Sequence, residues 1–196
     1  MHDATDGFTD RDADDGSATR RPPEVLDQWQ AADGRALLIR PLFSDDTARE
    51  LRFLESLSSD ARYERLGGHR STLLPGELRQ LVRFDVRREV ALLAAVGGSA
   101  GVDGADEEII GVARLHNTGE GRCEFALVVG DAWQRSGVGA RLLGRLLEVA
   151  RSAGVVEVTG TTRAGNEAMK ALARKLGFTL TPEPDDATLV RLTCLL

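Results

Sequence analysis

The stretch Cys123-Glu-Phe-Ala-Leu-Val-Val-Gly-Asp-Ala-Trp-Gln-Arg-Ser-Gly-Val-Gly-Ala140 decides how the rest of the chain is read. Its first part, Arg122–Val129, has the apolar run of a strand, Gly130–Gln134 turns, and Ala140–Ala153 has helical apolar spacing. A turn that carries glycines into a helix points several backbone N–H groups at one place, and the helix dipole adds partial positive charge there. Gly137 and Gly139 let the backbone approach an anion with no Cβ in the way. The spot suits a phosphate or pyrophosphate, although Gly-x-Gly before a helix is also an ordinary helix start.

Upstream, residues 1–34 read as an acidic N-terminal tail, with Met1–Pro23 almost without apolar residues and expected to be disordered. Glu24–Gln30 reads as a short helical turn before Asp33-Gly34. Ala36–Leu42 is the first expected strand. Ser44 or Asp45 is then expected to cap a helix reaching Leu57, with Leu51, Leu54 and Leu57 as its apolar stripe. Ser58-Ser59-Asp60 restarts a helix carrying Tyr63, and Pro75 opens another to about Arg83. Glu89–Val96, Ile109–His116 and Arg122–Val129 read as three strands, the first two joined by the glycine-rich loop Gly97–Asp106.

Downstream, Val155–Thr161 reads as a strand and Asn166–Leu176 as an amphipathic helix stopped by Gly177. Phe178–Thr181 and Thr188–Leu195 are the closing strands. Residues 35–196 therefore read as one domain, a mixed α/β sheet covered by helices.

Charge separates the tail from this domain. Residues 1–34 hold nine acidic and three basic side chains, whereas residues 35–196 hold 22 of each, so the whole excess of −6 lies in the tail. The domain has no overall basic footprint, and no nucleic-acid partner is expected. Cys123 and Cys194 each lie inside an apolar run, as buried free thiols of a reducing compartment would. Neither has a Cys or His at ligand spacing, so no metal is expected. No apolar run reaches the roughly 18 residues of a membrane span, and the expected setting is the cytoplasm.

With these residues in view, the chain resembles the GNAT superfamily of acetyltransferases. The family's acyl-CoA motif, Gln/Arg-x-x-Gly-x-Gly/Ala, stands here as Gln134-Arg135-Ser136-Gly137-Val138-Gly139. Asn166 and Gly177-Phe178 match the family's second block at the expected separation. A narrower likeness, through Ser56–Arg65, Arg87–Leu92 and Cys123–Leu127, is to the catalytic domain of bacterial Pat-type protein lysine acetyltransferases. The resemblance implies a GNAT fold: a central, mostly antiparallel sheet with helices on both faces.

It also implies roles. Acetyl-CoA would be the co-substrate. Leu127, Val128 and Val129 would hold its pantetheine arm, and a backbone N–H among them would polarise the thioester carbonyl. Arg135, Ser136, Gly137, Val138, Gly139 and Ala140 would bind the pyrophosphate through main-chain N–H groups, and Asn166 would touch the cofactor arm. Arg141 would either reach a phosphate or sit on a solvated helix surface.

The acceptor would be a primary amine, expected to be a protein lysine. A lysine amine has a reference pKa near 10.4, so making it neutral at pH 7 costs roughly 4–5 kcal/mol, and a positioned base helps. Glu124 is the candidate base: a lone carboxylate at the head of Phe125–Val129, where burial would raise its pKa, with an edge-exposed Glu at a strand start as the alternative. Ala173 stands where many family members have a tyrosine that protonates the leaving thiolate. Tyr63 would either pack the acceptor-side helices or line the acceptor pocket. His69 and His116 read as isolated surface or turn histidines, and Trp133 as packing under the turn. A small-molecule amine acetyltransferase and a non-catalytic acyl-CoA sensor are the competing functions.

Overall fold

Alternation along the central strands decides which helices lie on which face. In the computed structural model, which describes residues 24–65, 89–97 and 107–196, eight strands form one sheet in the order β1-β2-β3-β4-β5-β6-β8-β7. They are β1 (Asp27–Gln30), β2 (Ala36–Pro41), β3 (Glu89–Val96), β4 (Glu108–Gly119), β5 (Arg122–Val129), β6 (Glu157–Arg163), β7 (Thr179–Glu183) and β8 (Asp186–Leu195). Helices α1 (Thr47–Ser56) and α2 (Ser59–Arg65) precede β3; α3 (Val138–Ser152) joins β5 to β6, and α4 (Glu167–Lys175) joins β6 to β7. Every neighbouring pair is antiparallel except β5–β6.

The two faces carry separate cores. Leu37, Ile39, Leu92, Ala94, Ala113 and Leu115 pack with Val138, Leu142, Leu143, Leu146 and Leu147 of α3. Leu38, Ala91, Leu93, Ala95 and Val112, one residue out of phase, pack with Phe53, Leu54 and Leu57 of α1 and its end and with Ala61 of α2. This is the period-two consequence of a sheet covered on both sides, and it explains why β3 is a continuous apolar run. Burying each such leucine is worth roughly 1.5–3 kcal/mol.

Several boundaries differ from expectation. The expected helical turn over Glu24–Gln30 is the edge strand β1, paired with β2 from Asp27 opposite Ile39 to Gln30 opposite Ala36. The first sheet strand thus lies inside the segment assigned to the tail. Helix α1 starts at Thr47, after a 3₁₀ turn over Ser44–Asp46. Asp46 is the reason: its carboxylate accepts from Arg40 Nη1 and Nη2 at 2.8 and 2.9 Å and from the Phe43 N–H at 3.0 Å. Helix α3 starts two residues before the expected Ala140, and β6 runs two residues later than the expected Val155–Thr161. The expectations for Met1–Pro23, Pro75–Arg83 and His69 lie outside the described residues.

The stop at Gly177 is as expected. Its φ of +87° is left-handed, which glycine adopts without strain, and the Phe178 N–H closes onto the Ala173 carbonyl at 3.0 Å. Cys123 and Cys194 are buried free thiols on either side of Val158, and burial pushes both thiols up.

Candidate active site

The β5–β6 pair makes the site. These strands pair only from Arg122 opposite Glu157 to Glu124 opposite Thr159, and then part. On its other edge β5 stays paired with β4 as far as Val129 opposite Gly111. The Gly130 N–H donates to the Ile110 carbonyl at 2.8 Å, so alternation turns the N–H and C=O of Val128 toward β4 and those of Leu127 and Val129 toward the gap. A linear chain with amide groups entering that gap would meet a free strand edge.

A cleft of about 860 Å³ occupies this gap. Leu127, Val128 and Val129 line it from β5, Gln134, Arg135, Gly137, Gly139 and Ala140 from the turn and helix start, and Asn166 from the head of α4. Nine of the expected residues are therefore brought together. Val128 contributes its side chain only, since its backbone belongs to the β4 ladder. Ser136 and Val138 do not line the cleft. The Ser136 hydroxyl and N–H both turn back to the Trp133 carbonyl, and the Val138 side chain is fully buried under α3.

At the mouth, the backbone of Arg135 (φ +61°) and Gly137 (φ +92°) is left-handed on either side of Ser136. Gly137 is the N-cap of α3, and the Arg141 N–H donates to its carbonyl at 3.1 Å. The N–H groups of Val138, Gly139 and Ala140 come before the first intrahelical bond and face out of the helix end. A Cβ at Gly139 would stand 3.5 Å from side-chain carbons of both Leu172 and Val129, so the floor there is already in contact and anything larger projects into the cleft. Asn166 is the N-cap of α4, its Oδ1 accepting from the Met169 N–H at 3.0 Å. Gln134 Nε2 lies 3.4 Å from the Val129 carbonyl.

Glu124 departs from expectation. Among the described residues it is exposed, on the last rung before β5 and β6 separate. It does not line the 860 Å³ cleft but a separate, smaller one of about 250 Å³, with Thr159, Gly160, Thr161, Glu183 and Arg191. On the opposite face the apex is closed by Phe125, whose ring stands where a Cβ of Gly160 would go.

Several wall residues were not singled out from the sequence. Ser58, just before α2, and Asp60 in its first turn line the cleft as well. The Ser58 N–H and hydroxyl donate to Asp131 at 3.0 and 2.7 Å, and these bonds, the backbone one first, hold the Asp131 carboxyl below its ordinary value. The helix-restarting Ser58-Ser59-Asp60 was the available signal. Arg141 does not point into the cleft: it pairs with Asp27 at 3.2 Å and lies 4.8 Å over the Trp29 ring. Trp133 is buried, with the Arg35 guanidinium 4.3 Å from its ring centre. Among the described residues no helix is long and apolar enough to cross a membrane, and no group of three His, Cys, Asp or Glu is placed to hold a metal.

The model of the acetyltransferase (GNAT) family matches residues 77–178. An acetyltransferase of Pseudomonas aeruginosa is 36% identical over 167 residues, covering 84% of this chain and 87% of that protein. The solved GNAT domain of S. lividans PAT superposes with a TM-score of 0.71 at 26% identity, covering 87% of this chain and 96% of that one. Spermidine N-acetyltransferase from Vibrio cholerae, solved with CoA and spermine, has a TM-score of 0.61 at 15% identity over 81% of this chain and 95% of that one. At that identity the last likeness is one of fold.

Proposed function

The chain belongs to the acetyltransferase (GNAT) family, and from that we propose that it moves the acetyl group of acetyl-CoA directly to a primary amine, a protein lysine, with Glu124 as general base. The observation that carries this reading is the parting of β5 from β6 just past Glu124. It offers the backbone of Leu127 and Val129 to an amide-bearing arm, ends at a helix start fit for a pyrophosphate, and leaves a carboxylate at the apex.

In this reading the turn from Arg135 through Ala140 binds the pyrophosphate with main-chain N–H groups, and Asn166 flanks the arm. The Leu127 N–H polarises the thioester carbonyl and stabilises the oxyanion that forms when the amine attacks. Glu124 takes a proton from the ammonium, directly or through one water, to give the neutral amine. The N–C bond forms, the nitrogen gives its second proton to water, the C–S bond breaks, and CoA leaves as thiolate. With Ala173 where a tyrosine would stand, and buried in the core, solvent supplies the proton to that thiolate. A reference thiol pKa near 8.5 makes this an acceptable leaving group. The same proposal puts the enzyme in the cytoplasm, which two unpaired buried thiols suit.

The test is incubation with labelled acetyl-CoA and three acceptor sets: N-terminally blocked lysine peptides, free polyamines and aminoglycosides. Turnover on the peptides is expected to exceed that on the small amines by orders of magnitude. The reverse order would make this a small-molecule amine acetyltransferase. Tight acetyl-CoA binding with no transfer to any set, or to lysate proteins, would make it an acyl-CoA sensor.

A further inference from the structure

Glu124 does not stand alone on its sheet face. Directly paired residues share a face, and the registers join Glu89 of β3 to His116 of β4, His116 to Glu124 of β5, and Glu124 to Thr159 of β6. One polar row therefore crosses four strands and ends at the apex of the cleft. Arg114, two residues from His116 and on the same face, bonds Glu50 of α1 at 2.7 and 2.8 Å, which places the row on the α1 side. His116 Nδ1 lies 3.3 Å from Glu89 Oε1, and Glu89 Oε2 lies 3.4 Å from Arg114 Nη1. His116 and Glu124 are directly opposite in the antiparallel β4–β5 ladder and, by the alternation set at Gly130, form a hydrogen-bonded pair with Cα atoms about 5.5 Å apart, so that one water would bridge their side chains.

We propose that His116 is a positioning and proton-relay residue for Glu124. The inference rests on the reading of Glu124 as the base. Each turnover leaves Glu124 as a carboxylic acid, which must lose its proton before the next ammonium can be served. With Nδ1–H donating to Glu89, Nε2 of His116 is the basic nitrogen and takes that proton. Glu124 returns to carboxylate, and the imidazolium stands between two carboxylates, Glu89 and Glu124. Half-exposed as it is, His116 then passes the proton to water. Among the described residues, the charged groups around it are Glu124 from β5, Glu89 from β3 and, behind Glu89, Arg114 with Glu50 from α1.

The experiment compares wild type, His116→Ala, His116→Gln and Glu124→Gln on N-terminally blocked lysine peptides across pH, with and without added imidazole. Both His116 variants are expected to lose roughly tenfold in kcat near neutral pH, at the low end of general acid–base effects, with KM for acetyl-CoA unchanged. Imidazole is expected to restore turnover in His116→Ala and to leave Glu124→Gln inactive. A His116→Ala enzyme with wild-type kcat and pH profile overturns the relay while leaving Glu124 as base. So does a loss of turnover that imidazole does not restore, since that is the mark of a merely structural role. Full turnover by Glu124→Gln removes the base itself, and the relay with it.

Discussion

Glu124 stands opposite Thr159 on the last rung of the β5–β6 ladder, and the cleft opens immediately beyond that rung. The strand that carries the base candidate is therefore the strand whose next residues offer a free backbone edge. The proposed base and the proposed thioester site lie on this one strand, so a shift in the β5–β6 apex moves both together.

That apex has its own lock. A Cβ on Gly160 would lie 2.4 and 2.7 Å from ring carbons of Phe125, which also packs on Phe178 with ring centres 5.2 Å apart. Gly160→Ala is expected to lower stability by about 1–3 kcal/mol through overpacking, read as a fall in Tm. Combining it with Phe125→Leu should recover part of the loss. Equal Tm for Gly160→Ala and wild type would mean the ring moves aside freely.

At the mouth of the cleft the constraint is different. An alanine at Gly139 makes only ordinary contacts, at 3.5 Å, but the branches of a valine extend past them into the cleft. Gly139→Val is expected to weaken acetyl-CoA at least tenfold, about 1.4 kcal/mol, with KM for the amine little changed. Calorimetric titration measures this directly. An unchanged Kd would place the pyrophosphate elsewhere.

The buried ion pair between Arg40 and Asp46 controls acid stability. Burial alone would raise the Asp46 carboxyl, but hydrogen bonds from Arg40 and the Phe43 N–H outweigh it and hold the group below its ordinary value of 3.8. A carboxyl depressed in the folded state stabilises fully above its unfolded value and loses that contribution as pH falls through its folded one. The Asp46 contribution should therefore persist above pH 3.8 and disappear below it. Asp46→Asn, which leaves Arg40 facing Glu107 at 2.6 Å, is expected to cost about 3–5 kcal/mol near neutral pH and to flatten the acid limb of the Tm profile. A variant as stable as wild type at pH 7 would contradict this.

Local pattern revealed the elements that line the larger cleft. The apolar run before Gly130, the glycine turn into α3, the helix start at Asn166 and the Gly177 stop are all properties of short segments, and each appears within two residues of where its chemistry predicts. What depends on strand pairing was not legible. Asp27–Gln30 is four mostly polar residues that become a strand only against the edge of β2. Glu124 sits on the last rung before β5 and β6 part, and its place opposite His116 follows from the register across a hairpin. Asp46 looked like part of a helix start, and its partner Arg40 lies on the neighbouring strand, at a reach set by the fold.

The central claim is that Glu124 supplies the base and β5 with the glycine turn supplies the cofactor site, as separable parts of one strand–turn–helix unit. The most direct measurement is Glu124→Gln, with acetyl-CoA affinity from calorimetry and kcat on a lysine peptide taken from the same preparation. The expected result is an unchanged Kd for acetyl-CoA with kcat reduced roughly 10²–10⁴-fold, the usual contribution of a general base. An unchanged kcat at unchanged affinity would contradict the account, because the amine would then be deprotonated without the carboxylate at the end of the β5–β6 ladder.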